Sequence, residues 1–335
     1  MKTINSLENI SITTIANLTE AKINSIFKEA RWEDKPTCSK CGSFSKYNIK
    51  NAKGQITRFK CCDCGSLYSI TSNTIFDNHK LPLKTYLLAI TLFVNSAKGI
   101  SSLQLSRDLA INEKVAFVML HKIRMALFNQ YEELNKNKLK GTIQIDGAYI
   151  THKIKKTNKK KDRVDGRLAE NIDKQCIITM REIDENGLSK RSYAFIIRNE
   201  NSIDIQYLVD RYIEKGSTII SDEHVSYKVI KKMDYETKTI NHSEEYQNKE
   251  GTNTNQAESY FSRLRRMIIG QHHRLSKKYL ELYVNEITYR ENMRFYSNKE
   301  VLIDLLKHCM RCDNETIFNG YHQRKNCEID SFRIS

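Results

Sequence analysis

Two sets of residues in this sequence carry chemistry by type and spacing. The first is Cys38-Ser-Lys-Cys41-Gly together with Cys61-Cys-Asp-Cys64-Gly, two Cys-x-x-Cys knuckles with nineteen residues between Cys41 and Cys61. Four thiolates at that separation close a tetrahedral Zn²⁺ site, and the metal stands in for a hydrophobic core too small to fold alone. Gly42 and Gly65 each follow the second cysteine of a pair, where a tight turn aims backbone donors at sulfur. The second set offers hard oxygen: Asp146, Asp222 and the stretch Asn255-Gln-Ala-Glu258, which runs on through Arg263 to Arg265 and Arg266. Asp146 interrupts an apolar alternating run, where a carboxylate must be desolvated, paired or bound to a cation. Asp222 ends the run 217–222, the C-terminal edge of a strand, where α/β folds place ligands and catalytic groups. Glu258 and Arg265 are seven residues apart, close to two helical turns, so they share a face with Asn255 one turn earlier. Alone, a Glu and an Arg so spaced read as a solvated ion pair.

These side chains need elements to hold them. A helix over 19–31, with Ala21, Ile23, Ile26, Phe27 and Ala30 on one stripe, leads into Trp32 ahead of the first knuckle. Beyond the second knuckle the pattern turns helical: a nearly continuous apolar run over 84–94, a helix over 103–109, and a helix over 113–128 carrying Lys114, His121, Lys122 and Arg124. Helix, short turn and basic helix are the parts of a helix-turn-helix whose second helix enters a major groove, with a plain helical hairpin as the alternative. After a linker at 136–140, alternation marks strands at 141–150, 176–180 and 192–198. A helix at 203–212, a strand at 217–222, a helix from 223, a strand at 238–242 and the helix from Asn255 follow, with Thr254 or Asn253 as its cap. Three strands, helix, strand, helix, strand, helix is the order of an RNase H-like domain, an α/β fold on a mixed five-stranded sheet. The expected division is a helical segment at 1–36, a zinc ribbon at 37–80, a helix-turn-helix at 81–135, the catalytic domain at 141–296 and a helical tail at 297–335.

Charge points to the partner. The 335 residues hold 55 Lys plus Arg against 40 Asp plus Glu, a net charge of +15, which favours polyanions through counterion release. DNA leads that class. Lys114, Lys122, Arg124, Arg263 and Arg266 are the expected DNA contacts, and the basic loop 153–163 either follows phosphates or is simply solvated. No apolar run approaches the roughly 20 residues that span a bilayer, so membrane association is not expected, and with no signal-peptide pattern a cytoplasmic protein is. Nine cysteines in a reducing compartment read as metal ligands before disulfides. Cys309, Cys312, His322 and Cys327 offer a second Zn²⁺ site, but Leu302, Leu305, Leu306 and Cys309 also form the apolar face of an ordinary helix.

Further motifs keep the same order. They are Arg31-Trp32, the segment 68–76, Ile145-Asp146 with Tyr149, Ser221-Asp222-Glu223 with Tyr227, and Asn241-His242-Ser243. The stretch 255–266 continues to Gly270, His272-His273 and Ser276, then to a helix bearing Tyr283, Glu286, Arg290, Asn292 and Arg294. Together these resemble the zinc-ribbon-bearing insertion-sequence transposases of the IS fifteen-ninety-five group, over residues 32–294. The resemblance implies an RNase H-like DDE-type domain in which Asp146 and Asp222 are the first two metal-binding carboxylates. For the third ligand the resemblance leaves Glu258 or Asn255, because both residue types occur there; Glu258 is the expected one, a carboxylate suited to a divalent cation, with Asn255 as a second ligand or orienting group. Arg265 stands where the family has Lys, Gly147 where it has Glu, and Met293 where it has Arg. Implied with the family are Mg²⁺ or Mn²⁺ at the active site and Zn²⁺ in the ribbon. The implied DNA partners are terminal inverted repeats and target DNA, acted on by 3′-end nicking and strand transfer. Two ends cut together require a homodimer or larger synaptic complex. The competing readings are a zinc-ribbon regulator without catalysis and an RNase H-like nuclease without strand transfer.

Overall fold

A computed structural model describes residues 2–5, 10–33, 35–52, 54, 56–128, 137–151, 174–240, 254–273 and 275–313. The chain divides into two compact units, Met1–Asn129 with Phe295–Cys327, and Gln130–Arg294 with Glu328–Ser335. The basic loop 153–163, Asn253, the trio Asn241-His242-Ser243, His322 and Cys327 lie outside the described residues. Among the described residues no helix is long and apolar enough to cross a membrane.

In the first unit, α1 (Lys2–Asn5) and α2 (Ile12–Ala16) precede α3 (Glu20–Trp32), which buries Ile23, Ile26, Phe27 and Ala30, the stripe its periodicity predicts. The antiparallel strands β1 (Lys46–Lys50), β2 (Ile56–Cys61) and β3 (Leu67–Tyr68) form the ribbon. Then come α4 (Leu83–Asn95), α5 (Ser102–Leu109) and α6 (Glu113–Phe128). Ser101 caps α5 by accepting from the Gln104 amide, and Ala110, left-handed at φ 50°, closes it before the short turn into α6. The helix Asn298–Arg311 is not a separate tail. It opens with a Ser297–Glu300 capping box and buries Leu302, Leu305, Leu306, Cys309 and Met310, in contact with α3, α4 and α6. Cys309 is therefore core, as the apolar-face reading had it.

One basic side chain on α6 is not where a DNA contact needs it. Arg124 is 1% exposed, with its guanidinium 6.0 Å from the Phe93 ring centroid. It follows buried Leu120 by four residues and so points with the apolar stripe, not away from it. Lys122 is half-buried, and only Lys114 of the three lies exposed.

The second unit is built on β4 (Thr142–Thr151), β5 (Lys174–Ile183) and β6 (Ser189–Ile197), an antiparallel meander. After α7 (Ser202–Tyr212), β7 (Thr218–Asp222) and β8 (Glu236–Ile240) add in parallel beside β4, giving the order β6-β5-β4-β7-β8. That mixed five-stranded sheet is RNase H-like. Between β7 and β8 the expected α-helix is a 3₁₀ segment, Val225–Lys232, whose buried Tyr227 and Ile230 are three residues apart, the period of that tighter helix. Ile143, Ile145, Ile178 and Ile219 pack with Leu208, Val209, Tyr227 and Ile230 in the main core. Two further helices, α8 (Asn255–Met267) and α9 (Leu280–Asn292), complete the unit; α8 contacts β4 and β5, and α9 contacts β6.

Candidate active site

Asp146 and Asp222 meet through sheet register. Thr142 pairs with Thr218, Ile143 with Ile219 and Gln144 with Ile220. The ladder stops there, and two residues further along each strand stand the two aspartates, level with each other, Asp222 as the last residue of β7 and Asp146 midway along the longer β4. The Gly147 amide donates to Asp146 Oδ1 at 2.8 Å, and the His224 amide donates to Asp222 Oδ1 at 3.1 Å. Burial pushes the Asp146 carboxyl up to about 6, against the pull of the Gly147 hydrogen bond, and the negative charges of Asp222, Glu200 and Glu258 add to the rise. Asp222 also borders a cavity of about 340 Å³ shared with His224, Tyr227 and Lys228.

The third element is α8. Its entry is fixed by a residue whose role the sequence did not announce: Gln144 Oε1 on β4 accepts from the Gln256 and Ala257 amides at 3.0 and 3.2 Å. Gln144 thus does the capping expected of Thr254, whose hydroxyl instead donates to Glu258 Oε1 at 3.4 Å. Arg181 closes the joint by donating to the Gln256 carbonyl at 2.8 Å, to Ser189 Oγ at 2.9 Å and to Glu291 at 2.9 Å. A helix tied at its first turn to the strand that bears Asp146 delivers Glu258 to the same end of the sheet. Glu258 and Asn255 both lie exposed there.

The basic residues of α8 separate into two kinds. Arg265 and Arg266 are exposed; Arg265 spreads over Phe261 at 6.0 Å, and Arg266 donates to Ser262 Oγ at 2.9 Å. Arg263 is ion-paired with Glu291, already the partner of buried Arg181, so it is engaged in the scaffold. The motif on α9 does similar work: Asn292 accepts from the Ser192 amide at 2.7 Å and donates to the Ser192 carbonyl at 3.0 Å, while Arg290 pairs with buried Glu286 at 2.8 Å. His272 packs its ring 4.6 Å from that of Tyr283, and His273 is exposed at a positive φ of 56°.

One carboxylate near Asp146 was missed altogether. Glu200 sits in a polar loop before α7, a setting that gives it no sequence signal. Its Oε1 accepts from the Tyr227 phenol at 2.5 Å, and its amide donates to the Tyr149 hydroxyl at 3.2 Å. A Cβ built on Gly147 would lie 2.5 Å from that same Oε1. The space that a side chain at 147 would enter is filled here by the carboxylate of Glu200.

The ribbon holds the second set of candidate metal ligands. The Sγ atoms of Cys38, Cys41, Cys61 and Cys64 lie within 4.8 Å of one another, the only such group of ligand atoms among the described residues, so the carboxylates stand further apart. The Gly42 and Gly65 amides donate to the Cys38 and Cys61 carbonyls at 2.9 and 3.2 Å, with φ of 74° and 70° that only glycine adopts freely. Beside the knuckles, Trp32 meets the rings of Phe59 and Tyr68 at 5.7 and 6.3 Å. Arg31 donates to the carbonyls of Ser69, Ile70 and Ser72, which explains why Arg31-Trp32 and the segment 68–76 occur together.

The chain matches the ISXO2-like transposase domain over residues 138–292 and the transposase zinc-ribbon domain over residues 18–67. No curated protein matches it. Among solved structures it is similar to the Mos1 strand transfer complex, at 9% identity over 68% of this chain and 78% of that chain, with a TM-score of 0.30. The Mos1 transposase paired-end complex with left transposon end gives 10% identity over 67% and 79%, with a TM-score of 0.23. A pre-cleavage Mos1 transpososome gives 10% over 91% and 97%, with a TM-score of 0.24. The ribbon match covers α3, the four cysteines and all but the last residue of β3, and the other match runs from the residue before Leu139 to Asn292 at the end of α9. With both parts present in order, the chain belongs to the insertion-sequence transposases that join a zinc ribbon to an ISXO2-like, DDE-type domain.

Proposed function

We propose that this transposase binds the terminal inverted repeats of its element, nicks their 3′ ends and joins the freed hydroxyls to target DNA. The observation that carries this reading is the level placement of Asp146 and Asp222 on parallel strands, with Glu258 near enough to raise the Asp146 carboxyl. Carboxylates gathered this way are hard donors whose mutual repulsion a divalent cation relieves, which fits Mg²⁺ or Mn²⁺ and not Zn²⁺. Asp146, Asp222 and Glu258 would hold the metal, with Asn255 beside them as an orienting amide. When bound, such ions activate water or a 3′-hydroxyl for attack on phosphorus and stabilise the leaving oxygen.

The rest of the chain binds and aligns DNA. Arg265 and Arg266 are exposed on the helix that bears Glu258, where a guanidinium fork can grip a phosphate from two sides. In the first unit, α5 and α6 act as a helix-turn-helix with Lys114 as its available cation, and the Zn²⁺-folded ribbon adds exposed Lys50, Arg58 and Lys60. Coordinated cutting of two ends calls for a dimer or larger assembly. The test is strand transfer in vitro with the element's own ends and Mg²⁺. Asp146→Asn is expected to abolish nicking and joining while repeat binding survives; retained joining sinks the reading, and hydrolysis without joining in the native chain reduces it to a nuclease.

A further inference from the structure

We propose that the outer face of the ribbon's sheet reads the bases of duplex DNA, so that the ribbon selects sequence as well as gripping phosphate. The inference deepens the transposase reading, on which its choice of DNA rests. Register divides the side chains of β1, β2 and β3 between two faces. Phe59 pairs with Tyr68, both are buried, and Trp32 packs its ring on each, so that face is the ribbon's core. On the other face Tyr47 lies opposite Lys60, which lies opposite Leu67, and the adjoining rung joins Ile49 to Arg58. Tyr47 is 68% exposed, Leu67 58% and Ile49 37%. Single apolar side chains in water need no account, but these three share two neighbouring rungs of one small sheet.

Charge decides what covers them. The segment 44–67 carries Lys46, Lys50, Lys53, Arg58 and Lys60 against a single acidic residue, Asp63. A second copy docked on a two-fold axis would bring this cationic patch onto itself, because such an interface uses the same surface on both sides. Duplex DNA meets both halves of the chemistry. Its phosphates suit Arg58 and Lys60, while base edges in the major groove offer thymine methyls to Leu67 and Ile49 and hydrogen-bonding groups to the Tyr47 phenol. The dimensions agree: three strands spaced about 4.8 Å apart span about 10 Å, against a major groove about 12 Å wide.

The measurement is equilibrium binding of the full zinc-loaded chain to two labelled duplexes, one carrying the element's own end and one with the same bases shuffled, by fluorescence anisotropy over a range of salt. Tyr47→Thr combined with Leu67→Thr keeps strand-forming residues and removes apolar surface. Zinc content and melting temperature check the fold, and Tyr47→Thr alone serves if the pair loses zinc. The Thr variant is expected to lose about tenfold or more of its preference for the end duplex with an unchanged salt dependence. Lys60→Gln is expected to weaken both duplexes alike and to lower the slope of log K against log salt by about one. A native preference in the Thr variant overturns the proposal, and so does an equal loss on both duplexes, which would mean contact without reading. Native DNA binding by a variant whose dimer dissociates in light scattering overturns it in favour of a contact between copies. If the native chain joins its ends while the Thr variant keeps its preference, the face alone is excluded; a native chain that neither prefers nor joins those ends takes the transposase reading with it.

Discussion

Replacing Asp146 with Asn should destroy activity and at the same time make the metal-free protein more stable. The folded chain lifts the Asp146 carboxyl from 3.8 to about 6. Two pK units correspond to about 3 kcal/mol at roughly 1.36 kcal/mol per unit. Asp146 retains some solvent contact, and screening reduces the expected gain to about 1–2 kcal/mol. The sign follows from linkage. Below pH 4 both states hold the proton and the native chain is not penalised. As pH rises from 4 to 6 the unfolded state releases its proton first, so native stability falls, and above about 6 the loss is complete. Asparagine has no such titration and still accepts from the Gly147 amide through its own oxygen. Its advantage should be absent at pH 4, grow through pH 5 and level off above pH 6. The assay is urea unfolding without added Mg²⁺, read by hydrogen exchange in β4 and β5, because the one tryptophan, Trp32, belongs to the other unit. Added Mn²⁺ should then stabilise the native chain and leave the variant unmoved. A variant equal to or less stable than the native chain at pH 7.5, or an advantage that ignores pH, would refute the claim that repulsion and burial at this carboxylate are relieved by a cation.

Gln144→Ala strips the acceptor from the Gln256 and Ala257 amides and should cost about 1–3 kcal/mol in urea unfolding. Strand transfer should fall further than that loss of folded protein explains, because Glu258 rides on the freed helix. Glu291→Gln leaves Arg181, whose side chain is 0% exposed, without its counter-charge; a loss of about 3–5 kcal/mol by the same assay is expected, and a loss below about 1 kcal/mol would mean the pair is not the joint described. Cys38→Ser should remove bound zinc from the purified chain, measured by atomic absorption, and shift Trp32 fluorescence to the red as its packing on Phe59 is lost.

The parts of the fold that were legible are those whose pattern is local. The run from Gly141 to Ile150 alternates because one face of β4 enters the core, and an aspartate in such a run is conspicuous without any partner being known. Asp222 was visible for a similar reason, as the last residue of a short strand. Glu258 was visible only as part of a helix face, and the two aspartates gave that face a direction. The misplacement of Arg124 came from counting charges along α6 without placing them on the helix. Ala116, Leu120, Ile123 and Leu127 form the buried stripe, and Arg124 lies next to Ile123 on it. The same periodicity that predicts the helix would have put that guanidinium inside.

Gln144 and Glu200 are a different kind of omission. Gln144 acquires its role from amides 112 residues later, and a glutamine in a strand carries no mark of the helix it will cap. Glu200 lies 27 residues from the phenol that orients it and sits in a loop of polar residues that would be unremarkable on any surface. Neither role follows from a residue type or an element; each is made by a contact between elements. What the chain did display was a gap. Gly147 stands in a strand that has no conformational need of glycine, and a glycine of that sort implies something pressed against it. The Glu200 carboxylate, from the loop after β6, lies where the side chain is absent, so Gly147→Ala is expected to push that carboxylate off the Tyr227 phenol and to lower stability in urea unfolding.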